Sequence, residues 1–214
     1  MPLQLLAAFS AAGWLTVGTQ FILSIQTSLD GGGTIWGGVV SYFGYFTLLT
    51  NILCAAILTA HAVQGDTGLR AFLRRPGVTT AAATSIIVVG VVYHLLLAAQ
   101  WNPQGIDLVV DTMLHTVLPV VFVFAWTRLV PRGAVSLGDT PLWSSYILAY
   151  AFYILVRGAI TDVYPYPFID VTVLGYGTTL RNAALLGIAF VALSAAMVGL
   201  NRVLGAPRRQ PSES

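Results

Sequence analysis

The sequence contains no lysine, a single cysteine and few charged residues of either sign. Charged side chains make up 8% of the 214 residues, against about a quarter in soluble domains. The lone cysteine, Cys54, excludes an internal disulfide and a cysteine-based metal cage. A scattered net charge of +2 does not provide the basic surface that nucleic-acid binding requires. No long polar segment is present, so we expect the protein to act within or at a bilayer.

Six apolar segments are long enough to cross a hydrocarbon core, which needs about 20 residues. They lie at residues 4–28, 38–63, 78–100, 107–127, 141–160 and 176–203. Each is expected to be helical, because lipid offers no hydrogen-bond partner to backbone groups. We therefore expect an all-α bundle of six transmembrane helices in one domain, residues 1–204, followed by a disordered cytoplasmic tail at residues 205–214.

Arginine is distributed asymmetrically along the chain. Eight of the ten arginines lie in the second and fourth linkers and in the tail, whereas the linkers of the opposite side carry aspartates instead. Positively charged linkers remain on the cytoplasmic side of a membrane. The sequence therefore predicts that both termini are cytoplasmic.

Polar residues of five predicted spans fall at a similar depth in the bilayer. With about 1.5 Å of rise per helical residue, they occupy a slab in the outer half, about 8–14 Å deep. The residues are Thr47, Asn51, His94, Asp111, His115, Arg157 and Arg181. Ionisable side chains at such a depth normally face a bundle interior or a cavity. We therefore predict a polar chamber in the outer half of the membrane.

Two pairs of these residues share a helix face. Thr47 and Asn51 are four residues apart, as are Asp111 and His115, and side chains at this spacing stack on one side of a helix. Gly44 is expected to extend the face of Thr47. The carboxylate of Asp111, one helical turn before His115, can orient the imidazole and stabilise its charged form. This favours a chemical role for His115.

A further face runs along the fifth span. Its polar members recur at intervals of four, three and four residues, as expected for one side of a helix. They are Tyr146, Tyr150, Tyr153 and Arg157. This face either borders the chamber or serves in ordinary packing or an aromatic belt at the membrane interface.

The chemistry available to the chamber is acyl transfer. A threonine hydroxyl is a weak nucleophile that needs a neighbouring base, and neutral His115 can take the proton of Thr47 and return it to the leaving group. An attacked carbonyl also needs donors for its oxyanion. The supporting groups are Asn51, His94 and Tyr93 as candidate donors, Asp111 as the orienting carboxylate, and Arg157 and Arg181 as partners for a fatty-acid carboxylate. No metal site is indicated, because the three histidines lie on different spans.

Three short motifs occur at residues 45–51 (YFTLLTN), 114–119 (LHTVLP) and 164–168 (YPYPF). They resemble those of the androgen-induced protein 1 and androgen-dependent TFPI-regulating protein family, and most of all its bacterial six-span relatives. The resemblance covers the five later spans in order. It implies a multi-pass threonine hydrolase that cleaves fatty acid esters of hydroxy fatty acids without a cofactor. It further implies that Thr47 is the nucleophile, that His115 is the base, and that the protein is located in a bacterial inner membrane.

Other interpretations of the same residues remain open. Thr50 lies three residues after Thr47 and is a second candidate nucleophile. The chamber also suits a non-catalytic protein that binds or transports a fatty acid, with the arginines holding its carboxylate. A third interpretation is a scaffold in which His115 only packs and Thr47 bonds back to its own helix. For the hydrolase and for the binding or transport protein, the ligand is a lipid or fatty-acyl ester that enters from the bilayer.

Overall fold

The computed structural model describes residues 1–65 and 67–207, and within these ranges the chain is helical, with no β-strand. Its α-helices are α1 (Leu3–Asp30), α2 (Ile35–Tyr42), α3 (Phe46–Ala62), α4 (Gly68–Leu73), α5 (Pro76–Val92), α6 (Gly105–Thr112), α7 (Leu118–Leu129), α8 (Thr140–Thr161) and α9 (Val171–Leu204). A π-helical turn (Tyr93–Leu97) extends α5, and another (Met113–Val117) joins α6 to α7. The all-α prediction is confirmed.

Five helical segments of the described chain are long and apolar enough to cross a membrane. They are Leu3–Asp30, Pro76–Gln100, Gly105–Leu129, Leu137–Thr161 and Val171–Leu204. Helices α2 and α3 pass the same test only together, with a bend of 74° between them. The protein is therefore an integral membrane protein by helix length and composition. The predicted span boundaries lie within a few residues of these helices.

The second predicted span, 38–63, is not one continuous helix, which corrects the expectation from sequence. Helix α2 ends at Tyr42 and α3 begins at Phe46, so Gly44 lies in the break between them and not on the face of Thr47. A Cβ at this position would overlap the guanidinium of Arg157 and lie 3.0 Å from the Ser41 carbonyl oxygen, so a larger residue would require its neighbours to shift. The half-buried Arg157 side chain thus packs against the break at Gly44.

The tyrosine face of α8 satisfies the backbone groups that the break releases. Tyr150 donates its hydroxyl to the Gly44 carbonyl at 2.9 Å, and Tyr153 reaches the Phe43 carbonyl at 3.5 Å. Within a bilayer a broken helix is tolerated only where such partners exist. The polar face predicted along the fifth span therefore packs against the break and holds it open.

The segment between α8 and α9, residues 162–170, forms a strap that folds back into the bundle. Asp162 ends α8 in the left-handed conformation, with φ of 54°. The ring of Tyr164 then lies against Gly158, while Tyr166 points inward and is only 8% exposed. Asn182 of α9 donates to the Phe168 carbonyl at 2.9 Å. The strap is thus fixed to both helices that it connects.

We expect Gly158→Ala to loosen the strap, because the added Cβ would overlap the Tyr164 ring. Overpacking of this kind costs about 1–3 kcal/mol, so the apparent melting temperature in detergent should fall by several degrees. Gly199→Ala in α9 is the matched control, since no atom lies within 4 Å of its Cβ position. Equal melting temperatures for the two variants would show that the strap does not depend on this contact.

The loop after α7 is bonded to the end of α9. Arg132 donates two of these hydrogen bonds, from its backbone N to the Ala206 carbonyl at 2.8 Å and from Nε to the Gly205 carbonyl at 2.7 Å. The first residues of the predicted tail therefore belong to the folded structure. The remaining tail, residues 208–214, lies outside the described part of the chain.

Candidate active site

A cavity of about 100 Å³ lies between α5, α8 and α9, closed on one side by the start of α3 and by the strap. Its polar lining residues are Thr47, Tyr93, Tyr150 and Tyr166, and the rest of its wall is apolar. Leu148, which is 62% exposed, forms part of the wall, so the cavity reaches the lipid-facing surface of the bundle. A cavity that admits benzene is about 150 Å³, so the space inside holds only a few atoms of a lipid.

Thr47 lines the cavity from the first turn of α3, which begins one residue earlier. The first amides of a helix have no partner within the helix, and here they meet a phenol of the strap. The Tyr166 hydroxyl lies 3.5 Å from the backbone N of Thr47, and the Thr47 hydroxyl and the Phe46 amide face the same phenol. Burial raises the pKa of Tyr166, so its hydroxyl stays protonated and can donate.

Asn51 connects Thr47 to the segment that carries His115. Its Nδ2 donates to the Thr47 carbonyl at 2.9 Å and to the Leu114 carbonyl at 3.3 Å. Asn51 and Thr47 share a side of α3, as their spacing predicts. One buried amide therefore holds the start of α3 level with the π-helical turn that contains His115.

His115 belongs to a cluster with Asp111 and Tyr93. Its Nδ1 lies 3.2 Å from Asp111 Oδ1, while Tyr93 donates to Asp111 Oδ2 at 2.5 Å. The rings of Tyr93 and His115 stack at a centroid distance of 3.8 Å. Because Asp111 accepts from Nδ1, the neutral imidazole keeps its lone pair on Nε2, as a base requires. The Asp111–His115 pairing agrees with their spacing in the sequence.

His94 and His115 both lie in π-helical turns. In the second turn Pro119 lacks the N–H that would bond the carbonyl of His115, four residues earlier, which weakens the α-helical pattern there. Single π-turns are frequent at functional sites. These π-helical turns were not predicted from the sequence, although Pro119 indicates the second of them.

Thr47 and His115 lie on neighbouring elements but are not in direct contact. In the described part of the chain no hydrogen bond joins them, and His115 is not among the residues that line the cavity. Tyr93 connects the two places, since its ring stacks on His115 and also forms cavity wall. The predicted pair is thus brought close, with Tyr93 and Asn51 as the intermediate groups.

Three other predicted residues do not reach the cavity. His94 is exposed and bonds to Thr116 at 3.0 Å, and Arg181 is exposed and contacts only its neighbour Asn182, at 3.5 Å, among the described hydrogen bonds. Arg157 packs at the break, where its buried Nε has no partner among the described residues. Depth along a helix does not fix the direction of a side chain, so the predicted chamber is smaller and less polar than expected.

The two candidate nucleophiles have different surroundings. Thr47 is 8% exposed and lines the cavity, whereas Thr50 is 0% exposed and lies outside the cavity wall. The hydroxyl of Thr50 is 3.2 Å from that of Tyr146. A substrate in the cavity therefore meets Thr47.

The described residues contain no group of three or more His, Cys, Asp or Glu side chains that could hold a metal ion. A scan against models of protein families, a search of curated proteins and a search of solved structures gave no match.

Proposed function

We propose that this protein is an intramembrane hydrolase of lipid esters, with Thr47 as nucleophile and His115 as general base. The observation that carries the proposal is the position of Thr47. Its side chain lines a cavity open to lipid, at the start of a helix that is broken within the membrane. Broken helices in membrane proteins often mark the binding site, because their ends present free backbone groups.

In the proposed reaction, Thr47 Oγ attacks the ester carbonyl and its proton passes to Nε2 of His115. The tetrahedral intermediate collapses, and the leaving alkoxide takes this proton as the C–O bond breaks. Water then attacks the acyl-threonine, gives a proton to His115, and releases the fatty acid as Thr47 is reprotonated. Asp111 holds the imidazole and stabilises its charged form.

The first proton transfer requires a rearrangement in the substrate-free site. Because Thr47 faces Tyr166, either its side chain rotates towards His115 or one water molecule bridges them. Catalytic hydrogen bonds are often long in the absence of substrate and tighten when it binds. Asn51 bonds to the backbone of both segments, and so holds the start of α3 beside the turn that carries His115.

The proposed substrate is an ester of the fatty acid–hydroxy fatty acid type that enters laterally from the bilayer. The cavity encloses the ester group and leaves the long chains in lipid, since its volume is small. The resemblance of the three motifs supports the same substrate class. We place the protein in a bacterial inner membrane, with the α2–α3 pair as one of six spans and both termini cytoplasmic.

The direct test is covalent labelling by a long-chain fluorophosphonate, with mass spectrometry to locate the modified residue. We expect the label on Thr47. A label on another residue, or an unlabelled protein, would remove the hydrolase proposal.

A second candidate function is non-catalytic binding of a fatty acid. It is favoured by the apolar cavity wall and by the engagement of Thr47 with Tyr166 rather than with His115. In this case Arg157, which has a buried Nε without a partner in the described chain, would hold the carboxylate at the outer rim.

For this second function we expect Arg157→Gln to weaken fatty-acid binding about tenfold to a hundredfold, the value of one hydrogen bond to a charged group. Arg181→Gln is the matched control, because Arg181 is exposed and its side chain does not line the cavity. The measurement is titration with a fluorescent fatty acid in detergent. Equal affinities for both variants would exclude Arg157 as the carboxylate partner.

A further inference from the structure

The strap places a single phenol at the point where α3 begins. Tyr166 is buried, and its hydroxyl oxygen accepts from the backbone amides of Phe46 and Thr47 at the start of α3. Its ring packs edge-to-face on Tyr45 at 5.8 Å and stacks on Phe168 at 5.2 Å. The contacts of Tyr164 with Gly158 and of Phe168 with Asn182 fix the strap on either side. The position of this hydroxyl is therefore determined before substrate binds.

A similar pair of side chains one turn deeper shows what a purely structural contact looks like. Tyr146 and Thr50 also bring a tyrosine hydroxyl to a threonine hydroxyl of α3, at 3.2 Å. A substrate in the cavity does not reach that pair, because Thr50 has no exposed surface and neither residue lines the cavity. Tyr166 and Thr47 both line it. The difference lies in access to the cavity and not in the type of contact.

We propose that Tyr166 is a third catalytic residue of the Thr47 site, donating its hydroxyl proton in a hydrogen bond to the carbonyl oxygen of the ester. This inference rests on the proposed hydrolase function and assigns the oxyanion donor, for which the sequence offered Asn51, His94 and Tyr93 as candidates.

The geometry gives the phenol a role at the moment of attack. As Thr47 Oγ bonds to the carbonyl carbon, the carbonyl π-electron pair moves to oxygen, and this oxygen accepts the hydrogen bond from Tyr166. The amides of Phe46 and Thr47 donate to the phenol oxygen of Tyr166, and this polarises its O–H bond for donation to the negative charge. When the intermediate collapses, the electron pair returns to the carbonyl and the leaving alkoxide takes the proton from His115. Tyr166 keeps its proton throughout.

Asn51 and His94 do not serve this role in the structure. The Nδ2 of Asn51 is occupied by two backbone carbonyls, and His94 is exposed on the outer surface with Thr116 as its partner. Neither residue lines the cavity. Of the phenols that do, Tyr93 is bonded to Asp111 and Tyr150 to Gly44, which leaves Tyr166 as the donor next to Thr47.

The test compares Tyr166→Phe with the matched variant Tyr146→Phe in the full-length protein in detergent. The readouts are kcat and KM for a fatty acyl p-nitrophenyl ester, the rate of fluorophosphonate labelling, and the melting temperature. We expect Tyr166→Phe to lower kcat about 10²–10³-fold, the usual effect of one oxyanion donor, with little change in KM. Tyr146→Phe should lower the melting temperature about as much as Tyr166→Phe while keeping the wild-type kcat.

Each result bears on the inference. Wild-type kcat in Tyr166→Phe, or equal losses of kcat in both variants, would overturn the catalytic role of Tyr166 while leaving Thr47 labelling, and with it the hydrolase proposal, intact. If the wild-type protein neither hydrolyses the ester nor takes the label, the proposed function and this inference both fail. A selective loss of kcat in Tyr166→Phe supports it.

Discussion

Alanine in place of Thr47 is expected to abolish both ester hydrolysis and fluorophosphonate labelling, whereas Thr50→Ala should retain both. The reason is access, because Thr47 lines the cavity and Thr50 is sealed against Tyr146. Loss of a nucleophile removes the covalent intermediate entirely, so the expected fall in kcat reaches the detection limit. The measurement is hydrolysis of a fatty acyl ester by purified protein in detergent, together with gel detection of a fluorescent probe.

Thr50→Ala is also a control for folding, since both threonines lie on α3 three residues apart. Thr50 is the more buried of the two, so its replacement should lower the melting temperature more. Thr47→Ser provides a second control and should keep measurable activity, because it retains the hydroxyl. Activity that persists in Thr47→Ala and disappears in Thr50→Ala would reverse the assignment of the nucleophile.

Replacing His115 by glutamine is expected to lower kcat about 10²–10⁴-fold, the usual contribution of a general base. The imidazole is held by Asp111 on one side and by the Tyr93 ring on the other, so glutamine cannot reproduce its lone pair in that position. The same substitution should slow fluorophosphonate labelling, because labelling also requires deprotonated Thr47. Stopped-assay rates over a range of substrate concentrations separate kcat from KM.

His94→Gln is the matched control for His115→Gln. Both histidines lie in π-helical turns of neighbouring spans, yet His94 is exposed and bonds only to Thr116 among the described hydrogen bonds. We expect its replacement to leave kcat close to that of the wild type. If the His115→Gln variant hydrolyses the ester normally, or if the two substitutions have equal effects, His115 is not the general base.

The proposed site depends on one irregular feature, the break between α2 and α3. The break turns the start of α3 towards the cavity and releases backbone groups that α8 and the strap then bind. Gly44 permits the break, and Arg157 occupies the space beside it. The hydroxyl groups of Tyr150, Tyr153 and Tyr166 thus bond to the free backbone groups at the break, as water does at a helix end outside the membrane.

The sequence predicted contacts within one span more reliably than contacts between spans. The spacing of Asp111 and His115 predicted their contact, because both lie on one continuous stretch of helix. The spacing of Tyr150 and Arg157 likewise predicted a shared face. Contacts between different spans were not predictable in this way, and His94 and Arg181 consequently lie on the surface rather than in a common chamber.

The amino-acid sequence alone specified an all-helical membrane protein, the approximate bounds of five of its spans, and the pairing of Asp111 with His115 within one of them. These properties follow from hydropathy and helical periodicity, which are local along the chain. Only the tertiary structure decided that α2 and α3 separate at Gly44, that Thr47 rather than Thr50 faces the cavity, and that Tyr166 reaches the start of α3. Each of these depends on how helices distant in sequence rotate and pack against one another, which no local pattern specifies.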